Sequence, residues 1–219
     1  MPRALFEKTG NAVWISHLDL MRLFQRSFKR AGLLLTHTQG FNPRPSVSIA
    51  LPLSVGIESR CELLDFDLEG EWVSNEEILR LLNENLVDGV RILSVYDDFR
   101  KIRDLAYLDC ILSLEYDAGV PGSAAAELAE FFSREEIIVE KRTKNGPKPE
   151  NIIPLIRSIR VEVRDAHVLQ LHARVCCQNP ALNPMQLNAA IETYLPHLKP
   201  DFVSCRRVEI YDANETIFR

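Results

Sequence analysis

The chain has 219 residues, of which 46% are hydrophobic and 26% are charged, and its net charge is −5 at pH 7. A chain of this length and composition can bury a substantial core, which excludes disorder as its default state. It contains no apolar run of about eighteen residues and does not begin with a signal-peptide pattern, so we expect a cytoplasmic protein without a membrane segment.

The order of elements predicted in the first half of the chain is strand, helix, strand, strand, helix, strand. Two capping boxes mark the helices, one formed by Ser16 and Asp19 and the other by Ser74 and Glu77. The helices are expected over residues 17–31 and 75–88, and the strands over residues 4–8, 47–53, 61–68 and 90–96.

The second half of the chain repeats this order less regularly and without any repeat of sequence. Its strands are expected over residues 108–116, 136–142, 159–164, 168–176 and 204–211, and its helices over residues 123–132 and 184–195. The order is that of the split βαβ, or ferredoxin-like, fold. We therefore predict an α+β protein of two tandem ferredoxin-like units with antiparallel sheets, over residues 1–100 and 105–219.

Cysteine usage argues against metal chemistry. The five cysteines are odd in number, and only Cys176 and Cys177 are close in sequence, where neighbours in a strand would point to opposite faces. The chain also lacks a Cys-x-x-x-Cys-x-x-Cys triplet that could hold a four-iron cluster. We expect reduced thiols, no metal and no cofactor.

Charge is distributed unevenly along the chain. Residues 1–50 carry seven basic and two acidic side chains, whereas residues 51–100 carry four basic and twelve acidic ones. This asymmetry is compatible with a basic face for a phosphate-bearing partner, and equally with ordinary solvated surface. On the first helix, one face is apolar and another carries basic side chains at helical spacing. The candidate residues of that polar face are Asp19, Arg22, Arg26 and Arg30.

His17 is the candidate catalytic residue. It lies in the segment Ser16-His17-Leu18-Asp19 at the start of the first helix, where a histidine could act as a base or donate to a phosphate. Helix capping alone explains Ser16 and Asp19, so only the histidine needs a further explanation.

Residues 36–46 are too rich in glycine, asparagine and proline for a regular element and predict a shaped loop. Phe41 could stack on a base, Asn42 could read a base edge, and Arg44 could bind a phosphate or a carboxylate. The alternative is a structural crossover in which Phe41 fills the core. The candidate binding residues of this loop are Gln39, Gly40, Phe41, Asn42, Pro43 and Arg44.

A basic turn follows the strand expected over residues 136–142. Such a turn could contact a phosphate backbone, although basic runs are more often simply solvated. Its candidate residues are Lys141, Arg142, Lys144 and Lys148.

Four segments in combination resemble the DUF2344 family, namely residues 14–22, 30–33, 39–45 and 52–59. The resemblance implies a bacterial protein that accompanies a radical-SAM protein with a cobalamin-binding-like region. Two departures stand out: Arg44 occupies a position that is usually histidine in the family, and the segment after the basic turn lacks an acid-arginine pair.

The favoured interpretation is an accessory protein of a radical-SAM enzyme that binds tRNA or rRNA and is not itself catalytic. Two alternatives remain open. One is a metal-independent RNA endonuclease that uses His17. The other is a docking subunit that contacts its partner enzyme through the acidic side chains of Asp65 and Asp67.

Overall fold

The structure is a computed structural model that describes residues 2–143 and 146–219. The chain divides into two compact units, one reaching to Asp104 and including Arg219, the other formed by Leu105–Phe218. The division falls at the end of the polar segment 100–104. The units are described separately below.

The first unit contains four strands and two helices among its described residues. These are β1 (Pro2–Lys8), α1 (His17–Arg30), β2 (Val47–Ile49), β3 (Ile57–Phe66), α2 (Asn75–Asn83) and β4 (Val90–Asp97). The strands lie in the order β4-β1-β3-β2, and each neighbouring pair is antiparallel.

The second unit contains six strands and two helices in its described part. These are β5 (Leu105–Glu115), α3 (Ala124–Phe132), β6 (Ile138–Thr143), β7 (Gly146–Asn151), β8 (Ile156–Val163), β9 (Val168–Cys176), α4 (Met185–Tyr194) and β10 (Phe202–Asp212). Four strands lie in the order β10-β5-β9-β8 with antiparallel neighbours, and β6 and β7 form a separate two-stranded sheet.

The predicted α+β class is confirmed. The prediction of purely antiparallel sheets is wrong, because the β-structure of the chain taken together is mixed, although each ladder described above is antiparallel. Element order does not determine strand direction throughout a sheet, since a helical crossover is long enough to join strands of either orientation. Apart from β6 and β7, the two units have the same strand order. In each, the fourth strand along the chain lies beside the first, followed by the third and then the second.

The apolar stripe predicted for α1 forms the core of the first unit. Phe24 and Phe28 are fully buried, and their ring centroids lie 4.9 Å from those of Phe6 on β1 and Phe66 on β3. Aromatic pairs at this distance stabilise a core beyond the area that they bury. This packing fixes the direction of α1 along the sheet and hence the position of each end of the helix.

Both predicted helix caps are present. The Oγ atoms of Ser16 and Ser74 accept hydrogen bonds from the backbone N–H groups of Asp19 and Glu77, each at 3.2 Å. The second helix is shorter than predicted and ends at Asn83. The reason is tertiary, because the Asn83 amide both donates to and accepts from the backbone of Ile92 on β4.

Among the differences between the predicted and the observed strands, two involve proline. Strand β2 ends at Ile49 instead of residue 53, before Pro52, which has no N–H to donate to a ladder. The basic turn is the end of a hairpin whose second strand, β7, contains two prolines and was not predicted. Proline is tolerated there because this hairpin is a two-stranded sheet with two edges.

A matched pair of glycine substitutions tests the turn at the end of β1. Gly89 has φ +83°, and an added Cβ would lie 2.3 Å from the carbonyl oxygen of Thr9; Gly70 has φ +94° but open space around it. We expect Gly70→Ala to lower the free energy of unfolding by about 1–2 kcal/mol through backbone strain alone. Gly89→Ala adds a backbone collision and should cost at least about 3 kcal/mol. Equal losses in urea denaturation would contradict this packing.

Candidate functional site

The register of the first sheet separates its two ends. Arg3 lies opposite Asp65 on β3 and Tyr96 on β4, and these residues define the Arg3 end. Lys8 lies opposite Ser59 on β3, and this pair defines the Lys8 end. Helix α1 begins just after β1 and returns along it, so its first turn belongs to the Lys8 end and its last turn to the Arg3 end.

A buried ion network organises the Arg3 end. The Arg3 side chain is 2% exposed and donates from Nε and Nη2 to the two carboxylate oxygens of Asp65, at 2.6 and 3.0 Å. Its Nη1 lies 2.5 Å from Asp98 Oδ2, and its Nη2 also donates to the carbonyl of Arg100 at 3.0 Å. One guanidinium therefore joins β1, β3 and the segment that leaves β4.

The electrostatics of Asp98 follow from this network. Burial by itself would raise the pKa of the Asp98 carboxyl. Hydrogen bonds from Arg100, together with the positive charges of Arg3 and Arg100, nevertheless hold that pKa below its usual range. Asp98 is therefore ionised and neutralised within the fold at neutral pH.

The loop over residues 36–46 is anchored at the same end. The backbone N–H of Thr36 donates to the carbonyl of Asp67, and the N–H of Asp67 donates to the carbonyl of Ser46, both at 3.0 Å. Higher in the stem, Thr38 N–H donates to the Arg44 carbonyl at 2.9 Å, and Arg44 N–H donates to Thr38 Oγ at 3.0 Å. The stem is thus a closed, hydrogen-bonded structure.

The tip of this loop is fully open to solvent. Phe41 has a relative exposure of 105%, so it does not fill the core. The other predicted loop residues, Gln39, Gly40, Asn42, Pro43 and Arg44, are also exposed. The structural alternative considered for Phe41 is therefore excluded, and the loop presents an aromatic ring and a guanidinium from one rigid stem.

Two further aromatic residues at the Arg3 end were missed by the sequence analysis. Trp72, in the segment between β3 and α2, is 86% exposed, and Phe99, between Asp98 and Arg100, is 90% exposed. The sequence did contain a signal that these residues are exposed: each is a large aromatic residue in a short, charged segment without apolar periodicity. Leu34, at the start of the loop, is also exposed.

The predicted basic residues of α1 differ in availability. Arg22 donates to Asp19 Oδ1 at 2.9 Å, near the Lys8 end. Arg26 and Arg30 are exposed and, within the described part of the chain, have no hydrogen-bonding or ion-pair partner. Lys29 shares this property and, like Arg30, lies in the last turn of the helix, at the Arg3 end.

Acidic side chains at the Arg3 end are partly neutralised. Asp65 and Asp98 are both bound by Arg3, and their side chains are only 13% and 10% exposed. Asp67 accepts a hydrogen bond from the Thr36 hydroxyl and, like Glu69, is exposed. Glu71 and Asp97 at the same end are exposed as well, and the exposed cations there include those of the α1 terminus and Arg44.

His17 lies at the opposite end. Ser16 Oγ donates to Asp19 Oδ2 at 2.7 Å, and these hydrogen bonds, from Ser16 first and then Arg22, lower the pKa of Asp19. His17 Nδ1 is enclosed and has no hydrogen-bonding partner among the described residues. Ser16 and Asp19 are thus committed to the helix cap.

Lys8 supports the turn that carries this motif. It is 1% exposed, and its Nζ donates to the carbonyls of Val13 and Ile15 at 3.1 and 2.8 Å. Burial lowers the pKa of its amine. Eight positions separate Ser59 from Asp67, about 26 Å along a strand, so the histidine motif and the loop are anchored far apart.

In the basic hairpin, the predicted binding residue Lys141 is already engaged within the fold. Lys141 lies opposite Lys148, but its Nζ already donates to Glu150 Oε1 at 2.9 Å and to the Ala181 carbonyl at 3.1 Å. Lys148 is exposed. Lys144 lies outside the described residues, and the side chain of Arg142 is likewise not described.

Over residues 2–143 and 146–219, no group of three histidine, cysteine or acidic side chains is arranged to hold a metal ion. Over the same residues, no helix combines the length and apolar character needed to span a membrane.

Comparison with known proteins identifies a family and a fold. No curated protein matches the sequence. The family model described as an uncharacterized protein conserved in bacteria, DUF2344, matches residues 2–184. The structure is similar to a chain in the crystal structure of a Cbf5-Nop10-Gar1 complex, with a TM-score of 0.53, 7% identity, and coverage of 95% of this chain and 48% of that one.

This chain therefore spans about half the length of that structural relative, and the likeness shows a shared fold alone. An unknown protein from Galdieria sulphuraria aligns over 94% of this chain and 97% of its own, with 10% identity and a TM-score of 0.27.

Substitution of Arg3 tests the network under the candidate site. Arg3→Met leaves the largely buried carboxylate of Asp65 without its cation and Asp98 with Arg100 alone, and should lower the free energy of unfolding by about 3–5 kcal/mol. The control Arg22→Met breaks an exposed ion pair and should cost less than about 1 kcal/mol. Chemical denaturation at pH 7 measures both, and similar losses would refute the structural role of Arg3.

Acid unfolding tests the state of Asp98. Because its pKa is lowered in the folded protein, Asp98 contributes stability that is present above its unfolded pKa of about 3.9 and is lost as pH falls through its folded pKa. In Asp98→Asn this contribution is absent at every pH. We expect the fall in stability below about pH 4 to be shallower in that variant, and an unchanged slope would contradict the assignment.

Proposed function

We propose that this chain, which belongs to the DUF2344 family of bacterial proteins, is a cytoplasmic accessory protein that binds RNA at the Arg3 end of its first unit and presents it to a radical-SAM partner. The observation that carries the proposal is the full exposure of Phe41 at the tip of a hydrogen-bonded loop. A phenyl ring in water gains free energy when a partner covers it.

Stacking on nucleic acid bases suits this surface. Three aromatic side chains, Phe41, Trp72 and Phe99, are each at least 86% exposed at the same end of one sheet. Stacking of an unpaired base on an aromatic ring contributes about 1–3 kcal/mol and does not require a particular base. Single-stranded or looped RNA offers such bases, whereas a duplex encloses them.

Exposed side chains of both signs lie at the Arg3 end, where Glu71 and Asp97 accompany the cations. Lys29, Arg30 and Arg44 are exposed and unpaired within the described residues, and they could contact phosphates beside the aromatic rings. The docking alternative relied on Asp65 and Asp67, but Asp65 is enclosed by Arg3. One of the two acidic groups needed for that interface is therefore already occupied.

A binding role is better supported than catalysis by His17. Both oxygens of the Asp19 carboxylate accept from neighbours, one from Ser16 and the other from Arg22, so this acidic group is engaged in the helix cap and its ion pair. A histidine acting as a general base is usually oriented by such a group. The geometry around His17 therefore gives no specific support to the endonuclease alternative.

The proposal also includes a radical-SAM protein as the partner and a ferredoxin-like fold for each unit. The resemblance of residues 14–59 to a family that accompanies radical-SAM proteins suggests the partner, and the chain itself lacks a cluster-binding cysteine triplet. The shared strand order of the two units supports their interpretation as tandem ferredoxin-like units.

Crosslinking of RNA to the tagged protein in cells tests the proposal. In the double variant Phe41→Ala, Arg44→Ala, we expect the affinity for the recovered RNA to fall by about 30-fold or more, because one stacking contact and one phosphate contact are lost. The matched control is Trp14→Ala, Arg60→Ala, which removes one exposed aromatic and one exposed arginine at the Lys8 end.

The control should retain binding, and wild-type binding should weaken as salt rises. No enriched RNA, or an equal loss in both double variants, would refute an RNA site at the Arg3 end. In the first case, recovery of a protein partner would favour the docking alternative.

A further inference from the structure

The sheet of the second unit has one buried and one open face. On β9, the side chains of Leu169, Leu171, Ala173 and Val175 are buried, and those between them point to the other side. This alternation leaves Gln170, His172 and Arg174 on the open face, as expected for a strand that covers a core on one side only.

A single row of side chains crosses the open face. The strand register places Arg160 on β8 opposite His172, His172 opposite Ile111 on β5, and Ile111 opposite Arg206 on β10. With strands about 4.8 Å apart, the two arginines are separated by about 14 Å at the backbone. The row is therefore cationic at its two ends, with an aliphatic residue and an imidazole between them.

A cavity lies over part of this row. Its volume is about 280 Å³, and its lining includes Asp109, Ile111, Arg160, His172, Arg174 and Val208. Drug-sized ligands occupy pockets of about 300–1,000 Å³, so this cavity is matched to one small molecule or to a single residue of a polymer. Val208 is 42% exposed, and together with Ile111 it supplies an apolar floor.

One wall of the cavity is held rigidly. Arg174 donates from Nε and Nη2 to both oxygens of Asp109, at 2.7 and 2.9 Å, and from Nη1 to Glu215 at 2.7 Å. Its guanidinium carbon lies 3.9 Å from the ring centroid of Tyr211, whose hydroxyl donates to Asp109 at 2.9 Å. Arg157 also pairs with Glu215 at 2.9 Å, so the two arginines and the two carboxylates balance in charge and form a fixed polar edge.

The available cations lie at the ends of the row. Arg206 is exposed and has no partner within the part of the chain that the structure describes. Among the described residues, Arg160 is paired only with Glu162, at 2.9 Å, and both side chains are exposed, so this pair is readily exchanged for a stronger anion. His172 Nε2 has no hydrogen bond among the described residues and lies 3.7 Å from Glu162.

We propose that the open face of the second unit binds a nucleotide, either free or as one residue of an RNA strand. The base lies on the floor formed by Ile111 and Val208, beside His172 and the fixed edge of Asp109 and Arg174. The phosphate is bound by Arg206, which is exposed and lies opposite Ile111 in the strand register. Unlike the RNA site proposed on the first unit, this site needs no contribution from Phe41, so each can be tested without the other.

The first arm of the test uses free nucleotides and the full chain. The four nucleoside 5′-monophosphates are titrated while the imidazole signals of the five histidines are followed by NMR, with His172→Gln identifying the signal of His172. We expect the His172 signal to shift, and Arg206→Gln to weaken binding about tenfold or more through loss of a charge-assisted contact. The control Arg164→Gln removes an exposed arginine outside this row and should bind normally.

The second arm uses single-stranded RNA of about eight nucleotides with a chain that carries Phe41→Ala and Arg44→Ala. Loss of the remaining binding on addition of Arg206→Gln identifies the ligand as a residue of RNA, whereas a response confined to the first arm identifies a free nucleotide. The proposal is overturned if neither ligand shifts the His172 signal, or if Arg164→Gln weakens binding as much as Arg206→Gln.

Discussion

A single buried guanidinium holds together the part of the molecule on which the candidate RNA site depends. Arg3 is almost fully enclosed and joins its own strand to two other segments, β3 through Asp65 and the segment after β4 through Asp98 and the carbonyl of Arg100. Burial of a charge is costly unless each of its donors is satisfied, and here the two carboxylates and the carbonyl supply the acceptors. The segment that carries Phe99 is attached directly to this network, and the loop over residues 36–46 is hydrogen-bonded to Asp67, two residues beyond Asp65.

The same network also shapes the charge that a partner would meet. The sequence is strongly acidic over residues 51–100, yet two of those acidic groups are paired with Arg3 and Arg100 at the end where the loop is presented. The last turn of α1 adds unpaired cations to that end. Net charge over a segment therefore describes this surface poorly, because an ion pair inside the fold removes both of its charges from the exterior.

The two units share a strand order but present different chemistry. In the first unit, candidate binding groups are carried by loops at one end of the sheet; in the second, they stand on the face of the strands themselves. Side chains on strands are held more precisely than those on loops, which suits a pocket for one nucleotide. Loops reach farther into solvent, which suits stacking on an extended strand of RNA.

The amino-acid sequence by itself determined the local features of this protein. Helix α1, its cap at Ser16 and its buried stripe all follow from side chains within one or two turns of one another, so a short window of sequence is sufficient to predict them. The early end of α2 could not be predicted, because Asn83 is drawn to β4 by a contact with Ile92.

Only the tertiary structure decided which residues form a site. Sequence alone left Phe41 equally suited to a core and to a binding surface, since burial depends on what the rest of the chain places around a residue. The motifs that together indicate the family are divided between opposite ends of one sheet, whereas Trp72 and Phe99, which belong to no motif, lie at the end with the loop. Strand pairing brings residues that are far apart in the sequence close together, and local sequence patterns do not predict this pairing.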